Sequence, residues 1–272
     1  MADPPAPIPP REAVAEMRLR APARGNRKLQ SLLDAANADD QVKAWWLVQQ
    51  TNADRLGMSD HSWVHVQIVL NVALRIFRLL ERRGVQPAMV ADYGMTARDA
   101  EVVIGCACLL HDSGMSIHRT DHEAYSLFLA ASKLPELLRT AYDEPERSVV
   151  VAEALHAIIG HRRRGDPITV EAGVVRVADA LDMEHGRSRV PFSEQRPNIH
   201  SLSAAAIDDV KIEPGQDRAV SIAIEMNNSS GIFQVDELLA TKLRGSGLEE
   251  HIEVVARIDA EHEKRLVPIF RI

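Results

Sequence analysis

The chain has 272 residues, 46% hydrophobic but only 4% aromatic, with 32 basic and 39 acidic side chains and a formal net charge of −7. That length allows one large domain or a domain with an appendage, its core filled by Leu, Val, Ile and Ala. The acidic balance argues against a general nucleic-acid or membrane-surface binder, which needs a positive face, and no apolar stretch approaches the ~20 residues that span a bilayer.

Residues 1–26 mix Pro, Ala and Arg without an apolar period and lack the apolar centre of a secretory signal, so they read as disordered or loosely packed. The two cysteines, Cys106 and Cys108, lie in an uncharged run at alternate positions that a helix points apart. They read as buried free thiols of a reducing compartment, and the expected location is the cytoplasm. Residues 26–50 carry a helical pattern through Leu29, Leu32, Leu33, Val42, Trp45 and Trp46, with the two Trp as packing anchors. Asp60 can cap a helix running to Arg83 and stopping at Gly84, with His61 and His65 spaced i, i+4 on one face.

Thr96 with Asp99 predicts the start of a buried helix through Leu110, which ends in His111-Asp112-Ser113-Gly114. An irregular link over 113–119 leads to a helix that starts at Thr120 or Asp121 and carries His122. Asp143-Glu144-Pro145 opens a helix reaching Gly160, and the loop 161–167 holds Arg162, Arg163 and Arg164. A last helix runs from Thr169 to a stop at Gly186. Residues 27–189 therefore read as an all-helical domain. The pattern then changes: strands over 210–213 and 219–226, a turn over 227–231, a helix over 235–244, and further strands over 253–258 and 266–272. Residues 190–272 read as a small α+β domain. The strands could form a dimer edge, or the unit could cover the helical domain as a lid.

Seven of the eleven histidines fall between His61 and His161. A helix that ends in adjacent imidazole and carboxylate offers a mixed N/O donor set, suited to Zn, Mn, Fe or Mg. Every helix from Asp60 onward carries such a residue near an end, and a bundle can bring such positions to one internal point.

The order His65…His111-Asp112…Asp179, with Leu-Leu ahead of His111-Asp112, Gly114 two beyond it, and Ala-Asp179-Ala-Leu-Asp182 closing, resembles the HD superfamily of metal-dependent phosphohydrolases over roughly residues 55–187. The resemblance implies a mainly α, HD-type helical bundle in which His65, His111, Asp112 and Asp179 bind a divalent metal, with Ni added to the candidates. His122 and His161 match positions that hold a second ion. His156 is a poorer match, because five residues along a helix turn it about 140° from His161. The resemblance also implies that Asp112, with His111, is catalytic. His61, His118, Asp182, Arg162, Arg163 and Arg187 are then candidates for contact with the substrate. Met115 stands where the cyclic-dinucleotide branch carries Lys, and Gly165-Asp166-Pro167 lacks that branch's Tyr, which speaks against a cyclic dinucleotide.

The expected function is metal-dependent phosphohydrolysis or phosphodiester cleavage of a nucleotide or other small phosphoester, by a homo-oligomer, with a dimer in first place. The alternative is a non-catalytic metal- or nucleotide-binding sensor on the same scaffold. A di-iron oxidase ranks last, since no Glu-x-x-His pair occurs among the candidate ligands.

Overall fold

The computed structural model describes residues 8–183, 203 and 205–258. Helix α1 (Pro10–Ala15) opens on Pro, whose missing N–H would be unpaired there anyway. Val14, Met17 and Leu19 are buried in the common core, and Asn37 bonds both the N–H and the carbonyl of Leu19. The stretch from residue 10 onward, expected to be loosely packed, is docked. Three scattered apolar residues are too few for a periodic signal yet enough to hold a short segment.

The pattern over 26–50 is two helices, α2 (Arg27–Ala38) and α3 (Asp40–Arg55). Asp39 separates them: its backbone is extended, its carboxylate caps α3 on the Val42 N–H at 2.9 Å, and Lys133 holds it at 2.8 Å. The next helix, α4 (Trp63–Arg82), is capped by Ser62, while Asp60 accepts the Ser62 N–H instead. His61 therefore precedes the helix and does not share its face with His65. By length and composition α4 could cross a membrane, contrary to the sequence reading, but 61% of its apolar window is buried inside the protein. It is the central helix, packed on α6 (Ala97–Leu110), on α9 (Val170–Ala180) and on the C-terminal sheet.

A four-residue helix, α5 (Ala88–Ala91), precedes α6. The capping box of Thr96 and Asp99 starts α6, and every residue from Asp99 to Leu110 is buried. Both cysteines are free and buried. Helices α7 (His122–Leu137) and α8 (Glu146–Gly160) pack against each other, and α8 lies between α6 and α9. Helix α9 ends at Ala180, short of Gly186, which lies outside the described residues along with Arg187.

Strands β1 (Ile207–Pro214) and β2 (Val220–Met226) form an antiparallel pair, and β3 (Ile252–Ile258) joins β2 in parallel. Val220, Ile222, Ile224 and Met226 are buried as the alternation predicts. A parallel partner needs a crossover. Here it contains a 3-10 turn (Ser229–Gly231), a π-helix (Gln234–Ala240) and the single turn α10 (Thr241–Leu243). The π-helix and α10 rest on α9. Gly173 permits this seating, because a Cβ there would overlap the Ser246 carbonyl oxygen. Arg75 and Arg83 of the α4 end donate to the carbonyls of Ile212 and Gly215. One continuous core runs from Val14 to Ile252, so the sheet is built onto the bundle. The strand expected over 266–272 lies outside the described residues.

Candidate metal centre

Helices α6 and α8 both end on a histidine, and the same local physics aims each one. The last carbonyls of a helix lack intrahelical partners. His111 turns Nδ1 to the Cys108 carbonyl at 3.0 Å, and His161 turns Nδ1 to the Ile158 carbonyl at 2.5 Å. His65, in the first turn of α4, turns Nδ1 to Asp182 at 2.5 Å. Donating Nδ1–H in each case would leave Nε2 as a lone pair facing inward, the tautomer that ligates a cation.

The turn after α6 is pinned on three sides. Trp46 donates its indole N–H to the Leu109 carbonyl at 2.9 Å. Ser113 Oγ donates to Leu110. Ser126 of α7 donates to the His111 carbonyl at 2.6 Å while accepting the Gly114 N–H at 2.8 Å. Gly114 is required here: a Cβ would overlap the His122 carbonyl and the Ser126 nitrogen. Asp121, in the left-handed region at φ 59°, then turns the chain so that His122 opens α7 at the site.

Two donor sets result, each with its ligand atoms within 4.8 Å of one another: His65, His111 and Asp179, and Asp112, His122 and His161. All six residues are buried. In the first set His65 Nε2 lies 3.2 Å from His111 Nε2, with Asp179 Oδ1 at 3.4 and 3.7 Å from the two nitrogens. Asp112 joins both sets. Its Oδ2 is 3.5 Å from His65 and from His111, and its Oδ1 is 3.1 Å from His122 and 3.7 Å from His161. These separations suit a cation: ligands at about 2.1 Å from one ion stand roughly 3.0–3.4 Å apart. Two imidazole nitrogens 3.2 Å apart and flanked by carboxylates are held by a proton or by a cation between them.

The buried charges also shift one another. Burial alone would lower the His65 pKa, but hydrogen bonds with Asp112, Asp179 and Asp182 outweigh it and raise it well above the usual imidazole value. Burial would raise Asp112, yet His111, His122, His161 and His65 hold it well below the carboxylate range. Asp179 is likewise held low against burial, by Lys242, His111 and His65. His122 is raised, with Asp112 outweighing burial, whereas burial together with His111 and Lys242 lowers His161. Helices α6, α8 and α9 also present their C-terminal, partly negative ends here.

The remaining expected residues belong to neither donor set. His156 joins neither set. The five-residue offset carries it round α8, and its Nε2 accepts the Ile168 N–H at 3.1 Å. His118 is exposed and its Nδ1 accepts the Thr120 N–H at 3.1 Å. Asp182, expected at the substrate, is buried behind His65, with Oδ2 on Nδ1. His61 is buried, its ring 5.5 Å from that of His65 and its Nδ1 on the Ser59 carbonyl at 2.7 Å. Arg162 and Arg163 are exposed, and Arg163 pairs with Glu237 at 2.9 Å. Arg187 lies outside the described residues. Sequence reasoning missed Lys242 of α10, whose Nζ bonds Asp179 Oδ2. A lone Lys in a distant, weakly patterned segment carries no signal of that contact.

Similarity to known proteins falls on the same part of the chain. The model of the HD domain matches residues 63–184, from the start of α4 to just past Asp182. Uncharacterized protein MJ1020 of Methanocaldococcus jannaschii is 37% identical over 207 residues, which cover 76% of this chain and 80% of that one. With an imidazole from α4, the His-Asp turn after α6 and an aspartate of α9 meeting in one buried cluster inside the matched span, the chain belongs to the HD-domain family.

Proposed function

We propose that the chain is a metal-dependent phosphohydrolase acting on a small phosphoester, a nucleotide first among them. The observation that carries this reading is the position of Asp112, with one oxygen toward each donor set. A carboxylate so placed can bridge two cations, the arrangement used for in-line displacement at phosphorus. His65, His111, Asp112 and Asp179 would hold one ion, and Asp112, His122 and His161 a second. Four imidazoles among six ligands favour a first-row transition metal over Mg. When bound, such ions lower the pKa of water and polarise a phosphoryl oxygen.

The chain's own residues do the rest. Asp182 and the Cys108 and Ile158 carbonyls would hold His65, His111 and His161 in the ligating tautomer. Asp112, kept anionic by its neighbours, would ligate through both oxygens when two ions are bound, or with one ion bound would use the other oxygen to orient an attacking water. The free buried thiols fit a reducing compartment.

The test is metal analysis of protein purified without chelator, followed by assay against a panel of nucleotides and phosphodiesters. The double substitution His111→Ala/Asp112→Ala should keep the helical circular dichroism yet lose both metal and turnover. Hydrolysis undiminished in that variant would overturn the proposal. Metal-loaded wild type that turns over no member of the panel would favour a sensor.

A further inference from the structure

We infer that Lys242, delivered by the C-terminal crossover, is the residue that grips the substrate's phosphoryl group at this centre. The inference rests on the phosphohydrolase reading and names the group that recognises its anion. All donors of the two sets come from the helical half, and they include two carboxylates, Asp112 and Asp179, with a third, Asp182, behind. A phosphoester approaching them is an anion and needs a cationic partner besides the metal. The arginines of the loop after α8 are exposed, Arg163 pairs with Glu237, and among the described residues none of their side chains bonds a donor of either set. Arg119 meets His122 at Nδ1, on the opposite side of the ring from Asp112.

Lys242 is placed differently. Asp179 turns Oδ1 to His65 and His111 and Oδ2 to the Lys242 ammonium, so the ammonium stands one carboxylate width from the first set. An ammonium has three N–H donors. Asp179 takes one, and no other acceptor for Nζ occurs among the described residues. The side chain is 16% exposed, enclosed but not sealed from solvent.

Its backbone is held as firmly as a ligand's. Arg176 of α9 donates Nε to the Lys242 carbonyl at 2.8 Å and, through its other nitrogens, reaches the carbonyls of Gly160 at 3.3 Å and Arg163 at 2.8 Å, on either side of His161. One guanidinium thus sets the position of Lys242 relative to a metal-facing histidine. The parallel joining of β3 to β2 forces a crossover, and Gly173 lets that crossover lie close on α9. The C-terminal unit completes the site.

The test uses the full-length, metal-loaded protein with inorganic phosphate as the probe, titrated by calorimetry, and metal content measured by mass spectrometry. Lys242→Met should keep the wild-type metal stoichiometry and weaken phosphate binding about 10- to 100-fold, the effect of losing one charged hydrogen-bond partner. Lys242→Arg should recover most of it. With a hydrolysed substrate in hand, Lys242→Met should raise KM more than it lowers kcat. Loss of metal from Lys242→Met would show that the ammonium only supports Asp179, and phosphate binding equal to wild type would show no contact. Either result overturns the assignment alone. Metal-loaded wild type that binds no phosphate would overturn the phosphohydrolase reading, and this assignment with it.

Discussion

Three of the four central imidazoles, those of His65, His111 and His161, are each fixed by an acceptor behind the ring. Those acceptors differ in kind: two are carbonyls left over at helix ends, and one is the Asp182 carboxylate. The carbonyls come with the helices, but Asp182 can be removed. Asp182→Ala should weaken metal binding about 10- to 100-fold, the usual cost of deleting a group that orients a ligating histidine, while Asp182→Asn, which keeps an acceptor oxygen, should fall between. Competition against a chromogenic chelator measures this, and an unchanged affinity in Asp182→Ala would remove Asp182 from the site. The same contact places Asp182, expected at the substrate, behind the His65 ring. Asp179 and Asp182 are three apart around the end of α9, so both reach His65, one from the front and one from behind.

Among the elements, α6 is the one whose start and finish both matter. Its finish presents His111 and Asp112, and its start is tied down by Asp99, which accepts from Thr96, Lys28 and Tyr142. Burial by itself would raise the Asp99 pKa, but these hydrogen bonds outweigh it and hold the carboxyl below 3.8. A depressed carboxyl stabilises the fold above its unfolded pKa, and that contribution fades as pH falls through 3.8 toward the folded value. Asp99→Asn should therefore cost about 1–2 kcal/mol at pH 7, for a cap and a charged pair whose lysine is partly solvated. The gap to wild type should narrow at pH 3. Urea midpoints at the two pH values decide it, and a gap independent of pH would mean that the charge contributes nothing.

For the molecule as a whole, the question is what joins the sheet to the bundle. Arg176 is almost fully buried and donates to carbonyls of the loop after α8 and of Thr241 and Lys242. Removing one partner of a buried, multiply bonded charge is strongly destabilising. Arg176→Met should lower stability by about 3 kcal/mol and speed hydrogen exchange in two segments far apart in sequence, 160–164 and 234–243. Exchange that rises in only one of them would mean that Arg176 does not couple the two halves.

The sequence alone determined the helices of the middle of the chain and the alternation of β2, which are legible because amphipathic period and caps are local features. Its resemblance to the HD superfamily pointed to His65, His111, Asp112 and Asp179 as one group, and the structure brings them together in one buried cluster. Tertiary structure decided the rest. It docked residues 10–25, split α2 from α3 at Asp39, left His156 and His118 outside both donor sets, and brought in Lys242. These outcomes depend on which side of an element faces a neighbour and on how a crossover is seated. Contacts between residues 63 apart, such as Lys242 with Asp179, follow from packing, and no local pattern encodes them.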